Sequence, residues 1–369
     1  MKSVCFENQC TGCNACVSIC PKDAIKIEDS IFAYNAIIDE SKCIDCKLCK
    51  KICPNQNIRK LLHPIDCKQG WARKEVRKLS SSGGAASAIM QSFIENGGYI
   101  CSCCFEAGQF KFSIAKSKEE IRKFAGSKYV KSNPEQIYEK VKKILDANKK
   151  VLFIGLPCQS AAIQNYCLNH EKLYTIDLIC HGTPSPKLLQ KFVKETGYEW
   201  DTLRDIQFRK QELYGLYING VKVSPRRVVD SYLIAFLREI DYTENCYSCR
   251  YATVERVSDI TLGDAWGGLA DGNPDGVSLV LSQTQKGQEL VKKANLYLEK
   301  MDLNVAINAN KQLYAPSQKH PGRNSFMVAI NKGDTFHLAT FKAVPGLMMK
   351  QSIKSGLIKM GLVKDFKEN

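Results

Sequence analysis

The stretch Cys10-Thr-Gly-Cys13-Asn-Ala-Cys16-Val-Ser-Ile-Cys20-Pro21 decides how the chain begins to fold, and it occurs twice. Cys43-Ile-Asp-Cys46-Lys-Leu-Cys49-Lys-Lys-Ile-Cys53-Pro54 repeats every cysteine and the trailing proline thirty-three residues later. Equal offsets throughout mark an internal duplication. Each Cys-x-x-Cys turn presents thiolates on one side of a tight loop, where they can grip a cubane of iron and sulfide. The fourth cysteine, ahead of proline, points the other way and ligates the neighbouring cluster. This assigns Cys10, Cys13, Cys16 and Cys53 to one [4Fe–4S] cluster, and Cys43, Cys46, Cys49 and Cys20 to the other. Zinc knuckles also use Cys-x-x-Cys, but zinc needs only four thiolates per site. It gives no reason for a third evenly spaced cysteine or for the proline.

Residues 8–58 resemble bacterial two-cluster ferredoxins, and the 369 residues of the chain far exceed what such a module needs. About 300 remain, enough for one large domain or two ordinary ones. Apolar (44%) and charged (25%) fractions are ordinary for a globular protein. No stretch approaches the ~20 continuous apolar residues of a membrane span. The N-terminus shows no apolar signal core, so a cytoplasmic protein is expected. In that setting eighteen cysteines are no disulfide scaffold, because the ligand spacing of the clustered ones points to reduced, metal-bound thiolates. The formal charge of +15 omits the clusters; three of them at about −2 each lower it to roughly +9. Most of the excess is lysine on helical segments such as Glu139–Lys150, and no basic run interleaves with aromatics. Nucleic-acid binding is therefore disfavoured, and a docking surface for acidic electron carriers fits the charge at least as well.

Beyond residue 60 the chain reads as alternating strands and helices. Residues 55–78 form a polar tether and an opening strand, followed by Ser80-Ser81-Ser82-Gly83-Gly84 and a helix over Ala85–Glu95. A Ser/Gly turn running into a helix offers free N–H groups suited to phosphate or pyrophosphate, although ordinary capping uses the same residues. On the first reading, a bulky side chain at Gly83 would block the pyrophosphate. Tyr99–Phe105 and Phe110–Lys116 read as paired strands, with Cys101, Cys103 and Cys104 as small buried residues. A Lys-rich helix is expected over Pro134–Ala147. Strand Val151–Gly155 closes in Leu156-Pro157-Cys158-Gln159, and strand Tyr174–Cys180 closes in His181-Gly182-Thr183-Pro184. Cys158 and Cys180 thus fall just past the carboxyl ends of successive strands, where open α/β sheets build their sites. Residues 203–223 read as two antiparallel strands around Asn219-Gly220. Strands at Asp259–Leu262 and Val277–Ser282 bracket Gly263-Asp264-Ala265-Trp266-Gly267.

Outside the duplicated stretch, Cys158, Cys180, Cys246 and Cys249 occupy turns or strand ends. One Cys-x-x-Cys plus two single thiolates can close a four-thiolate site, for zinc as well as for iron and sulfide. At these residues the sequence from Ser80 to about Thr284 resembles the coenzyme F420 hydrogenase/dehydrogenase beta-subunit family. The matching motifs are Ser82-Gly83-Gly84 before a helix, Gly126-Ser127-Lys128-Tyr129, Pro157-Cys158-Gln159, Cys180, Cys246-x-x-Cys249, and Ser258-Asp259 leading to Gly276. The resemblance implies a flavoprotein with FAD beside a [4Fe–4S] cluster, working between one-electron carriers and a two-electron acceptor. It implies that Cys158, Cys180, Cys246 and Cys249 ligate this third cluster. It further implies that Ser82, Gly83, Gly84, Ser127, Lys128, Tyr129 and Gln159 contact FAD. The sequence departs from the archaeal hydrogenase subunits in His-Gly-Thr-Pro-Ser-Pro after Cys180 and in Gly-Asp-Ala-Trp-Gly, and looks more like bacterial members. That departure puts the deazaflavin coenzyme in doubt as substrate, and no motif specifies the organic acceptor.

The expected fold class is α/β (α+β overall): a two-cluster ferredoxin domain over 1–60, a mixed-sheet flavin- and cluster-binding domain over 61–330, and a helical extension over 331–369. The expected function is an iron–sulfur flavin-dependent oxidoreductase with three [4Fe–4S] clusters and FAD, fed by ferredoxin or a similar carrier and favouring reduction of an organic substrate. Neither nucleic acid nor a membrane span is expected, and a homo-oligomer is compatible with the pattern. His181 is the leading proton donor, because imidazole titrates near neutral pH and the residue adjoins Cys180. A structural hydrogen bond shaping the turn competes with that role, and Lys128 and Asp264 are lesser candidates. Two alternatives stand beside this reading: an electron-transfer subunit serving a partner enzyme, and a nucleic-acid-binding protein with structural clusters.

Overall fold

The computed structural model describes residues 2–210, 213–225, 227–270 and 273–362. Its first sixty residues carry the duplication into three dimensions. Helix α1 (Ala15–Ile19) and helix α2 (Leu48–Ile52) start and stop at equivalent positions, with the hairpin β1 (Ile25–Asp29) and β2 (Tyr34–Ile38) between them. The ligand loops ahead of the helices match as well. Gly12 and Asp45 have φ of 69° and 53°, and Asn14 and Lys47 have φ of 56° and 60°. Gly, Asn and Asp tolerate this left-handed conformation; only Lys47 is an unusual occupant. Such turns aim successive N–H groups inward toward an anion, and the Gly12 amide donates to Cys10 Sγ at 3.4 Å.

The remainder is built on one eight-stranded mixed sheet. Its elements follow in chain order as β3 (Asp66–Ala72), α3 (Lys74–Arg77), α4 (Ala85–Glu95), β4 (Tyr99–Glu106), β5 (Gln109–Ala115), α5 (Ile137–Asp146), β6 (Val151–Gly155), α6 (Pro157–Tyr166) and β7 (Leu173–Leu178). Next come α7 (Pro186–Glu195), a separate sheet of β8 (Ile206–Lys210), β9 (Leu213–Ile218) and β10 (Val221–Lys222), and α8 (Ser231–Leu237). The main sheet resumes with β11 (Ile260–Asp264), β12 (Ser278–Ser282), α9 (Gln285–Lys293) and β13 (Leu296–Lys300). Its strand order is β13-β3-β12-β11-β7-β6-β4-β5; the four strands β4, β6, β7 and β11 run parallel and the flanking pairs antiparallel. Strand β6 is buried along its whole length, as a central strand covered on both faces must be, which explains its unbroken apolar sequence. Helix α5 shows the complementary pattern. Ile137, Tyr138, Val141 and Leu145 face the sheet, and its lysines point to water.

Two expectations change. Residues 203–223 hold three strands rather than two: Asn219-Gly220 joins β9 to the short β10, and β8 pairs with β9 before it. The C-terminal segment is helical as far as the described residues reach, in α10 (Leu303–Ala309), α11 (Arg323–Asn331), α12 (Phe336–Ala343) and α13 (Pro345–Lys359), with 363–369 outside them. Phe326 and Phe336 enter the same core as Phe192 of α7 and Tyr232 of α8, so α11 and α12 complete that core. No helix among the described residues is long and apolar enough to cross a membrane.

The N-terminal module is keyed onto the sheet through its own main chain. Tyr138 Oη donates to the Cys13 carbonyl, Tyr251 Oη to that of Pro54 at 2.9 Å, and Asn165 Nδ2 to those of Ile52 and Asn57 at 3.2 and 3.0 Å. Cys13, Ala15 and Ile52 pack into the core beneath α5 and α6.

Candidate functional site

Three cavities each gather one of the expected sets of four cysteines, and Cys5 lines two of them, the first and the third. Cys10, Cys13, Cys16 and Cys53 surround a first cavity of about 280 Å³, joined there by Cys5. Cys20, Cys43, Cys46 and Cys49 surround a second of about 490 Å³ at the outer end of the module, where Cys46 is exposed. The fourth cysteine of each run thus crosses to the other set. Cys158, Cys180, Cys246 and Cys249, scattered over ninety residues of chain, line a third cavity of about 940 Å³ between module and sheet. Among the described residues no three His, Cys, Asp or Glu side chains converge closely enough to hold a single metal ion; the thiols of each set stand around a space instead.

The local chain explains how the third set forms. Pro157 opens α6, and the Gln159 side chain caps it, accepting from the Leu156 amide at 2.9 Å. Cys158 therefore sits in the first helical turn, where the helix field favours a thiolate. Gln159 Nε2 donates to Ser132 Oγ at 2.9 Å, so both ends of this side chain help to fix the turn. Cys180 follows β7 by two residues, Cys246 lies within a 3₁₀ turn over Glu244–Ser248, and Cys249 directly follows that turn. Burial, reinforced by neighbouring sulfurs, pushes the Cys13 and Cys180 thiols up to about 12 and Cys158 well above its usual value. Thiols this costly to ionise suit a cationic metal core, which deprotonates its ligands outright. Buried cations line the same cavity: Lys131, and Arg256 with its Nε 3.4 Å from Asp177 Oδ1. The donor chemistry, the enclosed space and these cations all fit an anionic iron–sulfur cluster.

A fourth, much larger cavity of about 1750 Å³ opens at the carboxyl ends of the parallel strands. Ser80–Ser82 and the start of α4 form one end, with Gly84 at φ 84° as the helix N-cap. The Ser127 amide donates to Ser81 Oγ at 2.9 Å, which joins the Ser-Ser-Gly-Gly turn to the Gly-Ser-Lys-Tyr segment. Tyr129 stacks on Phe236 with ring centroids 4.5 Å apart. Opposite, Arg209 Nη1 pairs with Asp264 Oδ2 at 2.5 Å, its guanidinium 4.9 Å from the Tyr214 ring and 5.9 Å from that of Trp266. One apolar and aromatic chamber thus ends in a turn rich in N–H and hydroxyl donors, as an extended dinucleotide with a ring system requires.

Of the residues singled out from sequence, Ser82, Gly84, Ser127, Lys128, Tyr129, Gln159, His181 and Asp264 line this cavity; Gly83 does not. A Cβ on Gly83 would come within 2.5 Å of the Ser278 amide nitrogen and 2.6 Å of the Gly70 carbonyl. Its own carbonyl accepts from the Ala72 amide at 2.7 Å. Glycine is needed there because the chain passes between β3 and β12, so the pyrophosphate reason expected from the sequence gives way to packing. Lys128 Nζ donates to the carbonyls of Phe124, Ala125 and Gly126 at 2.7, 2.9 and 2.9 Å. All three of its donors brace the cavity loop, and burial lowers its pKa. His181 stays open to water in the cavity. Its deep position pushes the imidazole below its ordinary pKa, against the pull of Glu239 and Asp264.

The third and fourth cavities share a wall. Leu156, Gln159, Cys180, His181, Gly182 and Thr183 line both. Sequence reasoning missed the aromatic partners Phe236 and Tyr214, the pairing of Asp264 with Arg209, and the buried cations Lys131 and Arg256. Asp264 and Trp266, within the Gly-Asp-Ala-Trp-Gly motif, carried a local signal.

The 4Fe-4S dicluster domain matches residues 9–58. Coenzyme F420 hydrogenase/dehydrogenase, beta subunit N-term, matches residues 67–136, and the corresponding C terminus matches 148–304. Coenzyme F420-dependent sulfite reductase of Methanocaldococcus jannaschii is 22% identical over 311 residues, 78% of this chain but only 46% of that protein. The chain therefore aligns with less than half of that relative. Coenzyme F420 hydrogenase subunit beta of Methanococcus voltae is 25% identical over 236 residues, 60% of this chain and 77% of that one. A chain of the xenon-derivatised F420-reducing [NiFe] hydrogenase complex from Methanosarcina barkeri is 22% identical, with a TM-score of 0.49 over 73% of this chain and 95% of its own.

Proposed function

Since the chain belongs to the coenzyme F420 hydrogenase/dehydrogenase beta-subunit family and carries a 4Fe-4S dicluster domain, we propose that it is a cytoplasmic iron–sulfur flavoprotein oxidoreductase. In this reading it passes electrons from a ferredoxin-type carrier to an organic two-electron substrate. The observation that carries it is the shared wall of Cys180–Thr183, which separates a four-cysteine cavity from a chamber fit for FAD by a single turn. When bound, three [4Fe–4S] clusters supply one-electron steps and FAD supplies hydride chemistry.

The chain's own residues define the rest. The cysteine sets run in order from the exposed Cys46 face, through the set of Cys10, to the set of Cys158 at the flavin chamber. Lys128 holds the chamber loop in shape, Gln159 and Ser132 fix the Cys158 turn, and Tyr129, Phe236 and Trp266 exclude water from ring-sized space. Arg209 and Asp264 neutralise each other beside that space and present a polar edge to a substrate. His181 is free to hold a proton at the chamber wall, and its lowered pKa makes it a willing donor.

Anaerobic purification with iron, sulfide and flavin quantified tests the reading. About twelve irons and one flavin per chain are expected; a chain that never binds flavin, even on reconstitution, leaves only the electron-transfer subunit. That alternative draws support from the relative named as a hydrogenase subunit.

His181→Ala is expected to slow substrate turnover by roughly 10²-fold or more and to leave flavin reduction by ferredoxin almost unchanged. In the wild type the reductive rate should decline as pH rises through the lowered imidazole pKa, because the donor form is lost. Stopped-flow measurement of the two half-reactions distinguishes this role from a structural one, since equal losses in both would mean that His181 only shapes the turn.

A further inference from the structure

Lys131 occupies the ground between two cysteine sets. The residue is 5% exposed. Its amide donates to the Pro184 carbonyl at 2.9 Å, which fixes the backbone against the turn that follows Cys180. Its Nζ reaches across the module boundary to the Thr11 carbonyl at 3.1 Å and lies 4.9 Å from the centre of the Tyr34 ring. Thr11 stands between Cys10 and Cys13 and lines both the first and the third cavity. Lys131 lines the third cavity together with Cys158 and Cys180, and its charge acts on the sulfurs of Cys10, Cys158 and Cys180.

This ammonium lacks what a buried cation ordinarily has. Among the described residues no carboxylate forms an ion pair with it; its polar partners are a carbonyl and an aromatic face. A buried charge without a counterion is unfavourable by several kcal/mol. Of the other guanidinium groups at the third cavity, Arg256 already has Asp177 and Arg250 is exposed to water. At the outer set, Lys22, Lys47 and Lys50 are exposed, so water and salt screen them. Among the described residues Lys131 alone combines burial, a charge without an ion-pair partner and a place beside two sets.

We infer that Lys131 is a positioning residue for electron transfer: its fixed positive charge, with the first and third clusters as its counterions, raises the reduction potentials of both above that of the outer cluster. Each added electron makes a [4Fe–4S] core more negative, so a nearby cation in low dielectric stabilises the reduced form. The outer set then receives electrons at the lowest potential and the inner pair retains them beside the flavin chamber. The inference rests on the three-cluster reading above and adds to it a downhill order.

The test uses the full chain, purified anaerobically with all clusters loaded, in EPR-monitored redox titrations of wild type, Lys131→Met and Lys131→Arg. In Lys131→Met the ratio of reduced to oxidised cluster at a fixed potential is expected to fall roughly tenfold for two of the three clusters, about 59 mV for a one-electron couple. The third signal should not move, and Lys131→Arg should restore the first two. Unmoved potentials in Lys131→Met, a uniform shift of all three, or a shift in Lys131→Arg as large as in Lys131→Met would each overturn the inference. If charge removal costs iron instead, about eight irons from the two inner sets must go while Lys131→Arg keeps them; loss from the outer set overturns it. A wild-type preparation with fewer than three cluster signals would instead defeat the functional reading itself.

Discussion

Cys158→Ser is expected to remove about four of roughly twelve irons, to leave the EPR signals of the two N-terminal clusters in place, and to abolish flavin reduction by ferredoxin. The size of the effect follows from position. Cys158 sits half-buried at the start of α6. The third cavity shares Thr11 with the Cys10 cavity and the Cys180–Thr183 wall with the chamber we propose for FAD, so the proposed electron route runs through it. A serine hydroxyl is a harder and far weaker acid than a thiol, and it does not replace a soft thiolate on iron. Cys249→Ser should behave alike, because its sulfur lines the same space. Iron contents equal to wild type in both variants would sink the third-cluster assignment, whatever the flavin does.

Asp241→Asn is expected to stabilise the fold at pH 7.5 and above, and to flatten its pH dependence. Asp241 is fully buried after α8, and neither carboxylate oxygen has a hydrogen-bond partner. Burial outweighs the opposing pull of its own backbone N–H and of Arg323 and lifts its pKa to about 8, against about 3.9 in an unfolded chain. The sign follows from proton linkage. Between these values the folded protein holds a proton that the unfolded chain has released, so this group's contribution is fully present below about pH 4 and is lost as pH rises through about 8. The loss runs at about 1.4 kcal/mol per pH unit across the window. Asparagine keeps the shape without the proton. Melting temperatures of the two proteins at pH 5, 6, 7 and 8 should therefore diverge steadily, and parallel curves would show that Asp241 is already ionised in the fold.

What could be read from the sequence was what short stretches determine. A cysteine loop is closed by residues three apart, so the ferredoxin sets, including the crossed Cys20 and Cys53, were legible from spacing. Buried β6 and amphipathic α5 announced themselves by composition and period. The third set required four cysteines from three separate stretches, and only resemblance gathered them. Arg209 and Asp264 meet across fifty-five residues, and Tyr129 meets Phe236 across more than a hundred, so no window of sequence contains either pair. Gly83 was noticed for a good reason and explained by the wrong one. A glycine beside a helix start looks like a ligand contact until β3 and β12 are seen to close on it.

The sheet domain grips its N-terminal module through the carbonyls of Thr11, Cys13, Ile52, Pro54 and Asn57. Carbonyls are the one feature every ferredoxin of this backbone possesses, whatever its side chains. The socket thus reads mostly main chain, with a few module side chains beside it. Asn14 donates to Asn133 Oδ1 at 2.6 Å, and Gln9 and Asp29 accept from Ser248 and Ser185 at 2.9 and 2.5 Å. Selection elsewhere on the module's surface can therefore proceed without renegotiating the joint. In engineering terms the module is a cartridge: a foreign two-cluster ferredoxin of the same loop lengths inherits the five acceptors and, with them, its place at the head of the wire.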